Sequence, residues 1–334
     1  MAAKLCDRCG LRPAIVYQPH TGRALCAECF VDDIAERVKK EVERWHMIDP
    51  SDTVLLALSG GKDGYTLLDV MTRLHKASRL IGLNIVEGIR GYNKEEDAQY
   101  LVRTARDLGV DVLVVRVKDF VGLSVDEMVA AARSRSTGIS ACTYCGISRR
   151  RIMNYYAREL GATKLATAHN LDDEAQTAVI NLLRGDLQSL MRQHPLAELV
   201  EDPLLVKRIK PLRKVYEWET ATYVYVRKFH IQETECPYIY QQPTLRAKVR
   251  RELYALESER PGTLLSLVDL LDEFLMPLVV SRTPVRNLGR CERCGEPVPP
   301  GRRLCKLCEL LQGIGLARPN YAMRLPTRRP GLAP

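Results

Sequence analysis

Apolar positions in the middle of the chain follow two alternating spacings, which predict a series of strands and helices. Short runs rich in β-branched and apolar residues are typical of strands, and apolar residues three and four positions apart are typical of helices. The strands are predicted at 52–58, 81–87, 111–117 and 164–168, and the helices at 65–76, 95–108, 147–160 and 171–183. Because strands and helices alternate, we expect an α/β fold with a doubly wound parallel sheet and a ligand at the carboxyl ends of its strands.

The two ends of the chain follow other patterns. A helix charged on one face is predicted at 33–46, a second helix at 264–276 ending before Pro277, and either a helix or a strand at 220–228. Breaker residues in 283–290 predict a hinge. We therefore divide the chain into an N-terminal cysteine module, a connecting helix, a catalytic domain and a C-terminal cysteine module with a basic tail, at 1–32, 33–50, 51–280 and 285–334.

Composition narrows the class of protein. The chain has 334 residues, of which 46% are apolar and 27% charged. It contains neither an apolar run long enough to span a membrane nor a signal-peptide pattern, so we expect a cytoplasmic protein without a membrane partner. Fifty Lys and Arg against 41 Asp and Glu leave a net charge of +9. That excess suits a polyanionic partner such as nucleic acid, although a generic basic surface would also produce it.

The eleven cysteines fall into groups of four, three and four along the chain. Each terminal group consists of two Cys-x2-Cys pairs, the spacing of a tetrahedral four-cysteine zinc site. The predicted ligands are Cys6, Cys9, Cys26 and Cys29 in the first module and Cys291, Cys294, Cys305 and Cys308 in the second. Segments this short cannot bury a useful core, so a bound metal would stabilise their folds. Unrelated buried cysteines are the alternative.

The three central cysteines are Cys142, Cys145 and Cys236. If they converge, they could hold a metal or an iron–sulfur cluster with one open coordination position. Alternatively, Cys142 and Cys145 could cycle between dithiol and disulfide, with Cys236 a core residue. Their spacing leaves these alternatives open.

A glycine-rich loop follows the first predicted strand and precedes a helix. Its sequence is Ser59-Gly60-Gly61-Lys62-Asp63-Gly64. A loop in this position directs backbone N–H groups and the positive end of the helix toward a phosphate. It is not a Gly-x4-Gly-Lys loop, because Leu56 occupies the position of the first glycine.

Together these motifs resemble the PP-loop ATP pyrophosphatases, with an adenine nucleotide alpha hydrolase-like fold. The resemblance extends to Cys142-x2-Cys145-Gly-x2-Arg149-Arg150, Ala168-His-Asn-Leu-Asp-Asp-Glu-Ala175, Glu235-Cys236-Pro237 and both cysteine modules. This set resembles the TtcA/TtuA family of tRNA 2-thiolation enzymes, closest to its TtuA-type branch, the tRNA 5-methyluridine-54 2-sulfurtransferases. One position departs from the family pattern, because Gly64 stands where the loop usually has a serine.

The resemblance implies a reaction in two steps. ATP first adenylates the C2 oxygen of a tRNA uridine and releases pyrophosphate, and sulfur then replaces that oxygen as AMP leaves. It implies that Asp63, Asp173, Arg149, Cys142, Cys145 and Cys236 are catalytic. It implies that ATP is bound, with Mg²⁺, by Ala57, Ser59, Gly60, Gly61, Lys62, Asp63, Gly64, Ile85, Ala168 and Asp173. The two cysteine modules would hold two Zn²⁺.

For the central cysteines the resemblance implies a 4Fe–4S cluster held by three thiolates, with a cysteine persulfide as the rival. The sulfur donor would be a ubiquitin-like carrier with a C-terminal thiocarboxylate, or free sulfide, and the enzyme would be a homodimer. We expect tRNA to contact Arg149 and Arg150, and basic stretches outside the active site at 206–214, 246–251 and 318–329. A wobble-uridine (position 34) thiolase and a non-catalytic zinc-dependent RNA-binding protein are the alternative functions.

Overall fold

The computed structural model describes residues 4–74, 77, 79–232, 234–239, 244–282 and 284–324. Its strands are β1 (Val16–Gln18), β2 (Arg23–Leu25), β3 (Thr53–Ala57), β4 (Arg79–Val86), β5 (Asp111–Arg116), β6 (Lys164–Thr167), β7 (Lys207–Ile209), β8 (Gly289–Arg290) and β9 (Pro297–Val298). Its helices are α1 (Ala27–Arg44), α2 (Lys62–Leu74), α3 (Glu95–Asp107), α4 (Val117–Val121), α5 (Val125–Ser134), α6 (Ala141–Glu159), α7 (Leu171–Leu183), α8 (Leu187–Met191), α9 (Glu217–Val226), α10 (Leu245–Glu259), α11 (Thr263–Val280), α12 (Lys306–Gly313) and α13 (Asn320–Arg324).

The predicted parallel sheet is confirmed. Five strands lie in the order β5-β4-β3-β6-β7, and every neighbouring pair is parallel. Along the central strand β3, Leu55 packs into one core cluster while Val54 and Leu56 pack into another. Because side chains alternate between the faces of a strand, this division shows that the sheet is covered on both faces. The order of the strands reverses between β3 and β6, where an α/β sheet opens a crevice for a ligand.

Several predicted elements have different bounds in the structure. The helix predicted from residue 147 begins at Ala141, which brings both central Cys-x2-Cys cysteines into its first turns. The segment left open at 220–228 belongs to the helix α9. The connecting helix begins at Ala27, so the predicted boundary at residue 32 falls within α1. The remaining domain boundaries stay predictions.

The prediction that a helix ends before Pro277 is wrong. Helix α11 continues to Val280, although proline removes a backbone donor and usually ends or kinks a helix. On either side of the proline, Leu275 and Val279 are buried in one cluster with Leu190 and Met191. Packing on the same face before and after Pro277 therefore keeps the last turn helical.

The two cysteine modules are fastened to the catalytic domain by buried polar contacts. In the first module, Gln18 Nε2 donates to Asp33 at 2.9 Å and to Glu219 of α9 at 3.0 Å. In the second, the buried Glu296 pairs with Arg151 and, at 3.0 Å, with Arg158 of α6. The predicted hinge segment is also tied down, since the Val285 N–H donates to the Leu199 carbonyl at 3.0 Å.

No helix in the part of the chain that the structure describes combines the length and the apolarity that crossing a membrane requires.

Candidate active site and cysteine clusters

The glycine-rich loop connects the carboxyl end of β3 to the amino end of α2. Its entry is fixed at Leu58, whose N–H donates to the Leu83 carbonyl at 2.9 Å and whose carbonyl accepts from Asn84 at 2.8 Å. Gly60 has a φ of +77°, a left-handed conformation that side chains rarely adopt. The turn therefore delivers Lys62 and Asp63 into the first turn of α2, where backbone N–H groups lack partners within the helix.

At Gly64 the loop and the first turn of α2 approach each other closely. A Cβ at this position would lie 3.1 Å from the backbone nitrogen of Ser59 and 3.5 Å from its hydroxyl oxygen. The missing side chain therefore lets the first turn of α2 lie against Ser59. In this loop Ser59 supplies the hydroxyl, which accepts from the Gly61 N–H at 3.4 Å.

Asp63 is held by residues from two distant elements. Its Oδ1 accepts from Asn170 at 3.1 Å and from the Thr220 hydroxyl at 2.6 Å. Its Oδ2 pairs with Lys62 at 3.1 Å, and Lys62 also pairs with Glu217 at 3.1 Å. Burial lowers the pKa of Lys62, but the two carboxylates outweigh burial and raise the pKa overall. Lys62 is therefore a fixed cation at the loop.

Asp173 lies opposite Asp63, in the first turn of α7. Asn170 caps this helix, and its amide oxygen accepts from the Asp173 N–H at 3.0 Å. The same side chain donates to the Asp63 carboxylate, and the backbone N–H of Asn170 donates to the Asp173 carboxylate at 3.4 Å, so Asn170 connects the two aspartates. Burial raises the pKa of Asp173, the charges of His169 and Arg246 lower it, Asp63 raises it, and the net direction is upward. Asp173 is thus poised to hold a proton more readily than an ordinary aspartate.

The other acidic residues at the start of α7 stabilise the fold. Asp172 accepts from the Glu217 N–H at 2.7 Å, and burial raises its pKa to about 6. Glu174 pairs with Lys210 at 2.7 Å. These contacts tie α7 to the segment around β7 and α9.

The predicted adenosine residues lie at the carboxyl ends of adjacent strands. Ala57 and Ala168 are half-buried at the ends of β3 and β6. Ile85 is buried in the core, and its carbonyl accepts from Asn93 at 2.6 Å. The Ile85 side chain therefore packs in the core, and the carbonyl is the part of this residue that reaches the polar end of β4.

The three central cysteines lie in one region of the structure, where Cys145 and Cys236 pack against the same buried cluster. Among the described residues they do not form a compact set of sulfur ligands like the two terminal groups. Cys142 and Cys145 lie three residues apart in the first turns of α6, on one face of the helix. Burial, and after it the charge of Glu87, raises the pKa of the Cys145 thiol to about 12, and the Cys236 and Cys142 thiols add to this effect. Burial also raises the pKa of Cys236, with a further contribution from Cys142. The three thiols therefore interact electrostatically, although Cys236 lies 91 residues after Cys145 in the chain and its place was left open by the sequence.

Arg149 and Glu87 lie beside these cysteines. Arg149 pairs with Glu87 at 3.5 Å, and Glu87 is only 2% exposed. Glu87 also accepts from Asn93 at 2.6 Å. Sequence reasoning missed Glu87, although its position directly after β4, at the carboxyl edge of the sheet, was a usable signal.

The tertiary partners of the loop residues and of Asp173 could not be predicted from the sequence. Thr220, Glu217 and Asn170 hold the loop residues, yet each comes more than a hundred positions after Asp63. Arg246 lies 3.6 Å from Asp173, and Arg250 pairs with Glu217 at 3.0 Å. The prediction that the basic stretch 246–251 lies outside the active site is therefore wrong for these two arginines, because α10 packs against α7.

The two terminal cysteine groups form compact clusters. In each of them the four sulfur atoms all lie within 4.8 Å of one another, and every described cysteine is a free thiol. Gly10 and Gly295 directly follow a Cys-x2-Cys pair with φ of +64° and +72°, the turn that such a knuckle needs. In the second cluster, the Cys305 N–H donates to Cys291 Sγ at 3.3 Å. The predicted four-cysteine sets are confirmed as clusters.

Known proteins with similar sequences support the same assignment. A PP-loop domain model matches residues 32–255, and a model of the 2-thiouridine synthetase TtuA N-terminal LIM domain matches residues 5–31. The chain is 32% identical over 326 residues to the Aspergillus niger cytoplasmic tRNA 2-thiolation protein 1, covering 96% of this chain and 91% of that protein. It is 34% identical over 310 residues to the Thermus thermophilus tRNA-5-methyluridine(54) 2-sulfurtransferase, covering 93% and 92%.

A solved structure shares the whole architecture. The U34-tRNA thiolase NcsA from Methanococcus maripaludis, solved with its 4Fe–4S cluster, superposes with a TM-score of 0.74 at 29% identity, over 95% of this chain and 98% of that one. The PP-loop domain, the N-terminal cysteine module and the overall fold thus each match known proteins. The chain belongs to the TtcA/TtuA family of PP-loop tRNA 2-thiolation enzymes.

Proposed function

We propose that this tRNA sulfurtransferase adenylates the C2 oxygen of a tRNA uridine with ATP and then replaces that oxygen with sulfur, releasing AMP. One observation carries the proposal: Asp63, Asn170 and Asp173 lie together at the carboxyl ends of β3 and β6, and Glu87, whose charge acts on Cys145, directly follows β4 in the same sheet. An activating site and a sulfur site must be close to each other, because the oxygen that is adenylated is bonded to the carbon that sulfur attacks.

The loop and Lys62 would bind the triphosphate of ATP. Backbone N–H groups at the start of α2 and the positive end of that helix favour an anion there. Lys62 is held between Asp63 and Glu217, so it would offset negative charge as pyrophosphate leaves. Ala57, Ile85 and Ala168 would lie against the adenosine at the strand ends.

The donor set at Asp63 and Asp173 fits Mg²⁺, which prefers carboxylate oxygens. Asn170 contacts the Asp63 carboxylate through its side chain and the Asp173 carboxylate through its backbone N–H, and the Asp173 side chain is about 40% exposed. A magnesium ion bound there would neutralise charge on the phosphates. Asp173 would in addition bind or orient the uridine, for which its raised pKa suits it.

The central cysteines fit an iron–sulfur cluster with three protein ligands. Cys142 and Cys236 both contribute to the raised pKa of Cys145, and cysteine thiolates are the usual ligands of iron–sulfur clusters. The solved NcsA contains a 4Fe–4S cluster. We propose that Cys142, Cys145 and Cys236 hold such a cluster, which would carry the incoming sulfur. Arg149 lies next to these thiols and would stabilise the negative charge that develops on the activated uridine.

The two terminal clusters fit zinc. Four sulfurs within 4.8 Å of one another form a closed tetrahedral donor set of the structural type. We propose one Zn²⁺ in each module. Both modules flank the catalytic domain, so they would also help to orient tRNA.

The target nucleoside is proposed to be 5-methyluridine at position 54. The Thermus thermophilus relative, whose name gives this nucleoside and position, is 34% identical to this chain. The model of the TtuA N-terminal domain matches residues 5–31. Wobble uridine 34 is the second candidate, since the solved NcsA is a U34-tRNA thiolase. We also propose that the protein is cytoplasmic. Its sulfur donor would be a ubiquitin-like thiocarboxylated carrier or free sulfide.

The test is an anaerobic thiolation assay. The protein, reconstituted with iron and sulfide, is incubated with ATP, Mg²⁺, sulfide and unmodified tRNA, and thiolated nucleosides are mapped by mass spectrometry. We expect sulfur at position 54. Sulfur at position 34 would instead establish the second candidate, and tRNA binding without ATP-dependent sulfur incorporation would contradict the enzymatic function.

We further propose a homodimer that uses the exposed face of α11. Leu270, Phe274 and Leu278 recur every fourth position on this face, and the first two are each 64% exposed. An apolar stripe of this kind is typical of an interface. Replacing Phe274 with aspartate should convert a dimer to a monomer in light scattering, whereas Tyr225→Asp, at an exposed tyrosine of α9, should not. A wild-type monomer, or an unaffected dimer, would contradict this interface.

A further inference from the structure

A large cleft opens beside the active site, between the catalytic domain and the C-terminal module. Its volume is about 800 Å³, and its walls come from α6, β7, the segment 192–206 and the start of α12. Thr167 and His169, at the carboxyl end of β6, line its inner end. The cleft therefore runs from the neighbourhood of Asp173 toward the second cysteine module.

The acidic residues in the walls of this cleft are already neutralised. Glu198 pairs with Lys207, Glu201 with Arg286 at 2.8 Å, and Asp202 with Arg290 at 2.8 Å. These three are the carboxylates among the described residues that line the cleft. None of them is therefore available to a further cation.

Arg150, Arg192 and Arg208 in the cleft have no such partner among the described residues. Among the residues that the structure describes, neither Arg150 nor Arg208 has a carboxylate or a hydrogen-bond acceptor for its guanidinium. Arg150 and Arg208 are exposed, and desolvation, followed by the positive charge of Arg150, lowers the pKa of Arg208. Two neighbouring exposed guanidinium groups in a concave wall favour a ligand with negative charge.

The geometry of α6 explains why Arg150 is free for this role. Successive residues of a helix point about 100° apart, so Arg149, Arg150 and Arg151 face three different directions. Arg149 pairs with Glu87 beside the cysteines, and Arg151 pairs with Glu296 of the C-terminal module. Arg150 lies between these directions and lines the cleft.

We propose that this cleft binds the phosphate backbone of the tRNA segment next to the target uridine, with Arg150 and Arg208 contacting phosphates; this rests on the proposed function. Guanidinium groups suit phosphate because their fork of donors matches its oxygens. The cleft is open to solvent, and His169 in its lining interacts with Asp173 of the active site, so a polynucleotide strand in the cleft lies beside that site. An isolated pocket for a small anion would need neither feature.

The test compares tRNA binding by the full-length protein and by the double variant Arg150→Ala/Arg208→Ala. Fluorescence anisotropy with unmodified tRNA, repeated at several salt concentrations, gives the affinity and its salt dependence. Loss of two phosphate contacts should weaken binding about tenfold and reduce the slope of log K against log salt by about 1.5. The Arg208→Lys variant keeps the charge and should keep most of the slope.

The matched control is Arg103→Ala/Arg106→Ala. These two exposed arginines lie in the last turns of α3, which leads into the start of β5 at the opposite edge of the sheet. The control should bind tRNA like the unchanged protein. Equal affinity and equal slope in the cleft variant and the control would overturn the proposal.

A second readout separates RNA from an acidic protein partner. If the cleft variant binds tRNA normally and uses free sulfide normally but loses sulfur transfer from a thiocarboxylated carrier, the cleft binds the carrier and the proposal is wrong. Because the main readout is binding, it remains informative even if the unchanged protein fails to thiolate tRNA, and failure of the proposed function is thereby distinguished from failure of this inference.

Discussion

Replacing Asp63 with asparagine is expected to lower ATP-dependent thiolation of tRNA by about 10²–10³-fold. Asparagine keeps the shape of the side chain and can still accept from Asn170 and Thr220 at its oxygen. It removes the negative charge that pairs with Lys62 and would bind the metal ion. The loss should therefore fall on the activation step, measured as pyrophosphate released per tRNA, and the fold should survive.

The control for this variant is Asp119→Asn, which removes the same charge from a side chain 64% exposed on α4. It should retain full activity. Circular dichroism and tRNA binding should be unchanged in both variants. A pyrophosphate release rate for Asp63→Asn within about threefold of that of the control would show that the carboxylate does not act in activation.

Replacing Cys145 with serine is expected to abolish thiolation and to remove bound iron. Cys145 interacts with Glu87 and with the other two central cysteines, and its loss removes one of the three proposed cluster ligands. Metal analysis of anaerobically purified protein should give four iron and two zinc per chain for the unchanged protein, if the proposed 4Fe–4S cluster and the two zinc sites are present. The variant should keep both zinc ions, because the terminal clusters are separate sites.

The same experiment distinguishes a cluster from a persulfide. Thr143→Ser, in the same turn of α6 but hydrogen-bonded through its hydroxyl to Ser140, is the matched control and should keep iron and activity. ATP and tRNA affinities of Cys145→Ser should remain near those of the control. If iron-free protein thiolates tRNA at the normal rate, the cluster is not required and the persulfide route replaces it.

Much of the fold was predictable because its signals are local. The alternation of apolar patterns predicted the four long strands of the sheet, and the helix at 171–183 has the predicted bounds. Helix ends were less certain. Packing on both sides of Pro277 overrode the usual effect of proline. The strand β7 was not predicted, because two of its three residues are cations and it has no apolar pattern.

The features of the candidate site likewise divide into those with a local sequence signal and those that depend on the tertiary structure. The amino-acid sequence by itself determined the phosphate loop and the two four-cysteine sets, because a Cys-x2-Cys pair and a strand–loop–helix turn are complete within a few residues. Only the tertiary structure decided that Thr220, Asn170 and Glu217 hold the loop residues, that Cys236 lies near Cys145, and that Arg150 and Arg208 share a cleft. These contacts join residues far apart in the chain, and the order in which the strands assemble sets them.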